Sequence, residues 1–288
     1  MPNVLVTGGK GMLGADLCQL FEARGHTVHV TDVDNLDIRD YQSVLSLVEN
    51  IKPDWIMHLA AMTHVDQCEQ KPDEAYLTNA LGTQNVALAA QKVDAMMVYV
   101  STVSVFDGIK PFPYTEFDTP NPQSVYSKSK LEGERIVRDL LDKFYIVRAG
   151  WMFGGGREDK KFVAKIIELA QERDSLSVVN DKFGSPTFTY DIADGIEKLA
   201  NTGLYGTYHL VNSGELCSRY EFAKTIIQIA GITTCEIHPV NSAQFPLPAP
   251  RPRMEAAQNY ALELRGLNWQ RNWHDALTEY IKTVLKYE

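Results

Sequence analysis

Val4-Leu5-Val6-Thr7-Gly8-Gly9-Lys10-Gly11-Met12-Leu13-Gly14 decides the fold of this 288-residue chain. A short β-branched and apolar run leads into a glycine-rich turn, and a helical pattern follows from Met12 to Arg24. Gly8 permits a tight turn off the strand. Gly11 lacks a Cβ, so a pyrophosphate can approach the backbone and the helix N-terminus, and Gly14 lets the helix lie close on the sheet. Met12 and Leu13 belong with the three glycines in the cofactor-binding set. Glycine-rich turns are common in loops; placement between a first strand and a first helix is what points this one to a dinucleotide.

Working outward, strand and helix alternate. Val28 to Thr31, Trp55 to Leu59, Met96 to Val100 and Tyr145 to Val147 read as further strands. Helical stretches cover Tyr41 to Asn50, Asp73 to Lys92 and Val125 to Leu141. Continuous apolar strands separated by helices of this length imply an α/β fold, a doubly wound parallel sheet covered on both faces. Residues 1–150 form the dinucleotide-binding domain, with later returns over 184–212. Residues 151–183 and 213–288 are assigned mainly to a smaller, interleaved substrate-binding lobe. Gly154-Gly155-Gly156-Arg157 reads as a mobile loop with Arg157 in reach of a diphosphate, and Glu158-Asp159-Lys160-Lys161 as a solvated helix start. Pro246 to Pro252 reads as a stiff extended segment.

Composition narrows the classes. Apolar residues make up 44% and charged residues 23%, as in an ordinary globular chain. The net charge of −9 argues against a nucleic-acid binder, which needs a basic surface. No stretch approaches the roughly 18 apolar residues of a membrane span, and Met1 to Thr7 does not read as a signal peptide, so a cytoplasmic protein is expected. Cys18, Cys68, Cys217 and Cys235 form no Cys-x-x-Cys pair and read as reduced, buried thiols. The histidines show no metal-ligand spacing, so no metal site is expected.

Asp32 closes the second strand, where a carboxylate accepts hydrogen bonds from the adenosine ribose and favours NADH. Lys10 could instead pair with a 2′-phosphate and favour NADPH, so the choice between NADPH and NADH stays open. Asp37 either caps the following helix or lines the adenine site. Tyr126 and Lys130 form a Tyr-x-x-x-Lys pair on one helical face, just downstream of Ser101-Thr102 at a strand end. An ammonium beside the phenol is expected to pull its pKa down from about 10. In ketone reduction the phenol of Tyr126 gives its proton to oxygen, Lys130 bonds the nicotinamide ribose, and Thr102 holds the carbonyl oxygen. A second pair, Tyr220 and Lys224, follows Ser218, a helix N-cap, and reads as packing.

Together these residues resemble the extended short-chain dehydrogenase/reductases, and most closely the dTDP-4-dehydrorhamnose reductases, over nearly the full length. The likeness runs through Gly8 to Gly14, Leu36-Asp37-Ile38, Ala60 to Asp66, Ser101-Thr102, Val105-Phe106-Asp107-Gly108, Tyr126 to Lys130, Arg148 to Trp151, Asn180 to Thr187 and Arg251-Pro252. The resemblance implies that Ile38, Ala61, Met62 and Thr63 join the cofactor groove, and that Val103, Trp151 and Arg251 face the substrate beside Thr102. Two departures stand out. The family usually follows Ser-Thr with Asp-Tyr, where this chain has Val103-Ser104. It tends to place a serine three residues after the Arg-Pro proline, where this chain has Glu255, a carboxylate that near a diphosphate must point away or pair with Arg253.

The expectation is therefore an NAD(P)H-dependent reductase acting on the 4-keto group of a nucleotide-activated 6-deoxysugar, dTDP-4-dehydrorhamnose first among them. Alternatives are another sugar-nucleotide reductase or epimerase, and a non-catalytic dinucleotide-binding subunit similar to the regulatory subunit of methionine adenosyltransferase. The partners implied are a sugar-nucleotide substrate and no nucleic acid or membrane, with a homodimer left open.

Overall fold

The computed structural model describes residues 1–156 and 161–287. The chain opens with β1 (Asn3–Thr7), α1 (Met12–Ala23), β2 (Thr27–Thr31), α2 (Tyr41–Ile51) and β3 (Trp55–His58). Short helices α3 (Val65–Gln70) and α4 (Pro72–Tyr76) precede a π-helical turn, Leu77–Gly82, and α5 (Thr83–Lys92). Then come β4 (Met96–Thr102), α6 (Val125–Leu140), β5 (Phe144–Ala149), β6 (Trp151–Phe153), α7 (Phe162–Glu172) and β7 (Ser175–Val179). They lead to β8 (Phe183–Gly184), β9 (Pro186–Phe188), α8 (Thr189–Ala200), β10 (Gly206–Leu210) and β11 (Cys217–Ser218). The chain ends with α9 (Arg219–Ile229), β12 (Glu236–Val240), β13 (Met254–Glu255), α10 (Tyr260–Leu264) and α11 (Trp273–Glu279).

Six strands make one parallel sheet in the order β10-β5-β4-β3-β1-β2. Leu5, Ile56, Met97, Tyr99 and Ile146 pack on one face with residues of α2, α5 and α6. Val4, Val6, Met57, Val98 and Val147 pack on the other with α1 and α8. Covering both faces explains why these strands are apolar throughout instead of alternating. The strand order reverses between β1 and β3, and the carboxyl ends there open the crevice where such sheets bind ligands.

A second core gathers Val163 and Ile167 of α7, Phe222 and Ile226 of α9, and Phe153, Phe188 and Tyr280. It is lined by the small sheets β11-β8-β13, β12-β7 and β6-β9. α8, β10 and Leu262 of α10 return to the main sheet. Within the glycine run, Gly154 and Gly155 make backbone contacts to the rest of the chain. The carbonyl of Gly154 accepts from the Tyr280 hydroxyl at 3.2 Å, and the Gly155 amide donates to Asp16 at 3.0 Å. The expectations placed on Arg157 and on Glu158 to Lys160 lie outside the described residues.

The helical stretch at 73–92 is interrupted by its π turn. That turn aims Asn79 at the segment after β3: its side chain accepts from the Met62 amide at 2.7 Å and donates to the Met62 carbonyl at 3.1 Å. Insertions of this kind often sit beside functional sites. Ser218 caps α9 in a capping box with Glu221, and Tyr220 packs on the second core. All four cysteines are buried thiols. Among the described residues, no helix is long and apolar enough to cross a membrane, and no His/Cys/Asp/Glu group could hold a metal ion.

Glu134 of α6 and Arg148 of β5 form a fully buried ion pair, with the carboxylate accepting from Arg148 Nε at 2.9 Å and Nη2 at 2.7 Å. Removing one partner strands a charge without solvent. Arg148→Met should cost about 3–5 kcal/mol in urea unfolding, and Arg148→Met with Glu134→Leu should regain most of that loss.

Candidate active site

α1 starts at Met12 with Gly11 in the N-cap position and no side-chain cap, leaving its first amides for a ligand. Gly8 has φ +72°, and a Cβ there would fall 2.7 Å from the Ala60 amide nitrogen. One on Gly14 would fall 2.5 Å from the Gly8 carbonyl oxygen. The turn thus excludes side chains and presents backbone donors, which suits a pyrophosphate.

A groove of about 480 Å³ runs from this turn along the crevice. Gly8, Gly11, Met12, Leu13 and Gly14 line one part of it, and Asp32, Asp37 and Ile38 another. Ala61, Met62 and Thr63 line it as well, together with Tyr126 and Lys130. Asp32 accepts from the Lys10 amide at 3.0 Å and the Val33 amide at 2.8 Å. The Lys10 ammonium pairs with Asp34 on the exposed surface. Asp37 does not cap the next helix; Asp40 does, accepting from the Gln42 and Ser43 amides. Asp37 instead binds Arg39, with contacts of 2.8 and 2.6 Å from Nε and Nη2. Arg39, which also lines the groove, is a cation that sequence reading passed over. This donor set and cradle fit a nicotinamide dinucleotide.

Beyond Tyr126 the groove meets a cleft of about 510 Å³. Met12, Thr63, Ser101, Tyr126 and Met152 belong to both spaces. α6 is capped by Ser124, so Tyr126 sits in its first turn and Lys130 one turn on. Thr102, at the end of β4, lines the cleft together with Tyr126. The acid-base state differs from the expectation. Burial pushes Tyr126 up to about 12, against the opposing pull of the Thr102 hydroxyl. Burial also lowers Lys130 to about 7, opposed by the charge of Glu134. The Lys130 nitrogen lies 4.0 Å from the centroid of Tyr99, a cation–π contact, and the desolvation of both groups outweighs any pull of an ammonium on the phenol. The phenol is consequently held in its proton-bearing form.

The cleft is further lined by Trp151, Arg251, Ser104, Arg219 and Glu255. Val103 corrects the sequence reading: it is 2% exposed and packs under the cleft with Val211 and Ala257. The cause is local. The Thr102 hydroxyl accepts from the Ser104 amide at 3.1 Å and caps a 3₁₀ turn over Val103–Val105, which turns Val103 inward and Ser104 outward. Arg251 pairs with Asp66 at 3.0 Å. The Arg219 guanidinium lies 3.5 Å from the Trp151 ring and 4.8 Å from Phe162; nothing local in the sequence marked it. Glu255 neither points away nor pairs with Arg253. It accepts from Ser104 Oγ at 2.6 Å and from Trp151 Nε1 at 3.1 Å.

A dinucleotide groove at the sheet's switch point, joined to a polar cleft at a Thr-Tyr-Lys group, defines an extended short-chain dehydrogenase/reductase. Residues 2–286 match the family described as the RmlD substrate binding domain, and the chain belongs to that family. It is similar to a dTDP-4-dehydrorhamnose reductase from Clostridium acetobutylicum, with 40% identity and a TM-score of 0.95 over 98% of this chain and 99% of that one. The dTDP-4-dehydrorhamnose reductase of Bacillus anthracis, solved in complex with NADP, is 39% identical with a TM-score of 0.93, covering 97% and 98%. The spore coat polysaccharide biosynthesis protein SpsK of Bacillus subtilis is 37% identical over 282 residues, 98% of each chain.

Glu134 is the charge that raises Lys130. In Glu134→Gln the Lys130 pKa should therefore fall below about 7, so the amine loses its proton at lower pH than in the wild type. NMR titration of the lysine side chain in the free protein reads this shift directly.

Proposed function

We propose that this chain reduces the 4-keto group of a nucleotide-activated 6-deoxysugar with NADPH or NADH, converting dTDP-4-dehydrorhamnose to dTDP-L-rhamnose. The observation that carries this reading is the position of Tyr126: it borders the groove and the cleft at once, with Thr102 lining the same cleft. A bound dihydronicotinamide would supply the hydride to the carbonyl carbon. Thr102 holds the carbonyl oxygen by hydrogen bonding, and Tyr126, proton-bearing across the neutral range, gives that oxygen its proton, so that ketone becomes alcohol. Lys130 lines the groove and anchors the ribose on the nicotinamide side. At the other end, Asp32, Asp37 and Arg39 border the groove as recognition groups for the adenosine ribose. Among the cleft cations, Lys165 and Arg219 suit a diphosphate.

The similar reductases of Clostridium acetobutylicum and Bacillus anthracis support the substrate, and the NADP complex of the latter supports the cofactor. On this reading the enzyme works in the cytosol with reduced cysteines. A purely regulatory dinucleotide binder has no need for a proton donor poised over a polar cleft, and the Thr-Tyr-Lys group argues for turnover.

The test follows NADPH absorbance with the ketosugar generated in place. Tyr126→Phe should lower kcat by about 10²–10⁴-fold while NADPH affinity, measured by fluorescence titration, stays close to wild type. An unchanged kcat would remove Tyr126 as the proton donor.

A further inference from the structure

Both departures from the family pattern meet in space. Ser104 and Glu255 lie far apart in sequence, yet the serine hydroxyl donates to one carboxylate oxygen at 2.6 Å while the indole nitrogen of Trp151 donates to the other at 3.1 Å. All three line the substrate cleft with Tyr126. The Ser104 amide donates to the Thr102 hydroxyl at 3.1 Å, so the carboxylate is linked through one residue to the group that holds the ketone. Arg219 stacks its guanidinium on Trp151, with its charge in range of Glu255.

An ionised carboxylate has about four acceptor sites. Two of those on Glu255 are taken by Ser104 and Trp151, which fix its plane; the others are left for a ligand in the cleft. A lone carboxylate there would favour a cationic sugar, but Arg219 offsets its charge. A neutral ring with hydroxyl groups suits the pair: hydroxyls donate to the carboxylate, and the guanidinium donates to oxygens nearby. We propose that Glu255 is a specificity-determining residue that accepts hydrogen bonds from the hydroxyls of a neutral hexose ring, with Ser104 and Trp151 as its positioning residues. This rests on the sugar-nucleotide reading above.

Calorimetric titration with dTDP and with dTDP-L-rhamnose isolates the contribution of the sugar without requiring turnover. In the wild type the sugar nucleotide should bind more tightly than dTDP. A hydrogen bond to a charged group contributes on the order of tenfold or more, so Glu255→Ser should lose about that factor from the ratio of dTDP-L-rhamnose to dTDP affinity, any change in dTDP binding itself reading the loss of a negative charge beside Arg219. Glu255→Gln keeps the volume, but its amide cannot accept from both Ser104 and Trp151, and it should lose a smaller factor. Ser104→Ala should weaken the sugar increment, and Ser104→Thr should restore it. An increment that survives Glu255→Ser and Glu255→Gln overturns the proposal, as does equal weakening of both ligands, which marks a structural role. Either result leaves the proposed reduction standing if Tyr126-dependent turnover is present. A wild type that binds neither nucleotide overturns both readings.

Discussion

One buried carboxylate sets the geometry of the catalytic face. Glu134 has no solvent contact and accepts from Ser101 Oγ of β4 at 2.6 Å, from two nitrogens of Arg148 on β5, and from Arg138 at 3.0 Å. Tyr126, Lys130 and Glu134 follow one another at four-residue spacing, on a single face of α6. A charge this deep is tolerable only with its partners in place, so α6 cannot rotate or slide without stranding it. Pinning Glu134 to the ends of two central strands therefore fixes where Tyr126 and Lys130 stand relative to Thr102. The same carboxylate also keeps Lys130 from losing more of its basicity.

Dryness then divides the labour between phenol and amine. Lys130 is buried and Tyr126 half-buried, and burial acts in opposite directions on an acid that ionises to an anion and a base that ionises to a cation. His58, buried between Thr7 at 2.7 Å and Thr83 at 3.0 Å, is held down to about 3 and stays neutral beside Lys130. The amine thus has no charged imidazole beside it, and the phenol keeps its proton across the neutral range.

What could be read from the sequence was what depends on local periodicity. The strands β1 to β5, the glycine turn and the Tyr126–Lys130 spacing are properties of runs of a few residues, and their burial on both faces shows in their composition. What the sequence left open, misplaced or passed over turns on backbone detail or on long-range contact. Val103 and Ser104 exchange roles because a single capping bond from Thr102 starts a 3₁₀ turn. Asp37 and Asp40 are equally plausible caps by type, and only the chain path gives the cap to Asp40 and frees Asp37 for Arg39. The π turn that brings Asn79 to Met62 has no separate sequence period, since it continues an otherwise helical pattern. Arg219 enters the cleft because α9 begins there, a placement decided by the packing of the second core.

Glu255 and Ser104 show the same limit in its sharpest form. A carboxylate in a half-buried wall needs donors, and Ser104 Oγ supplies one and Trp151 Nε1 the other. Two positions far apart along the chain are thus one contact in the cleft wall. Thr102 lines the cleft with Tyr126, while Ser104, two residues on, turns toward Glu255. On the proposed reading Thr102 serves the reaction, and Ser104, two residues on in the same short turn, serves ring recognition through Glu255.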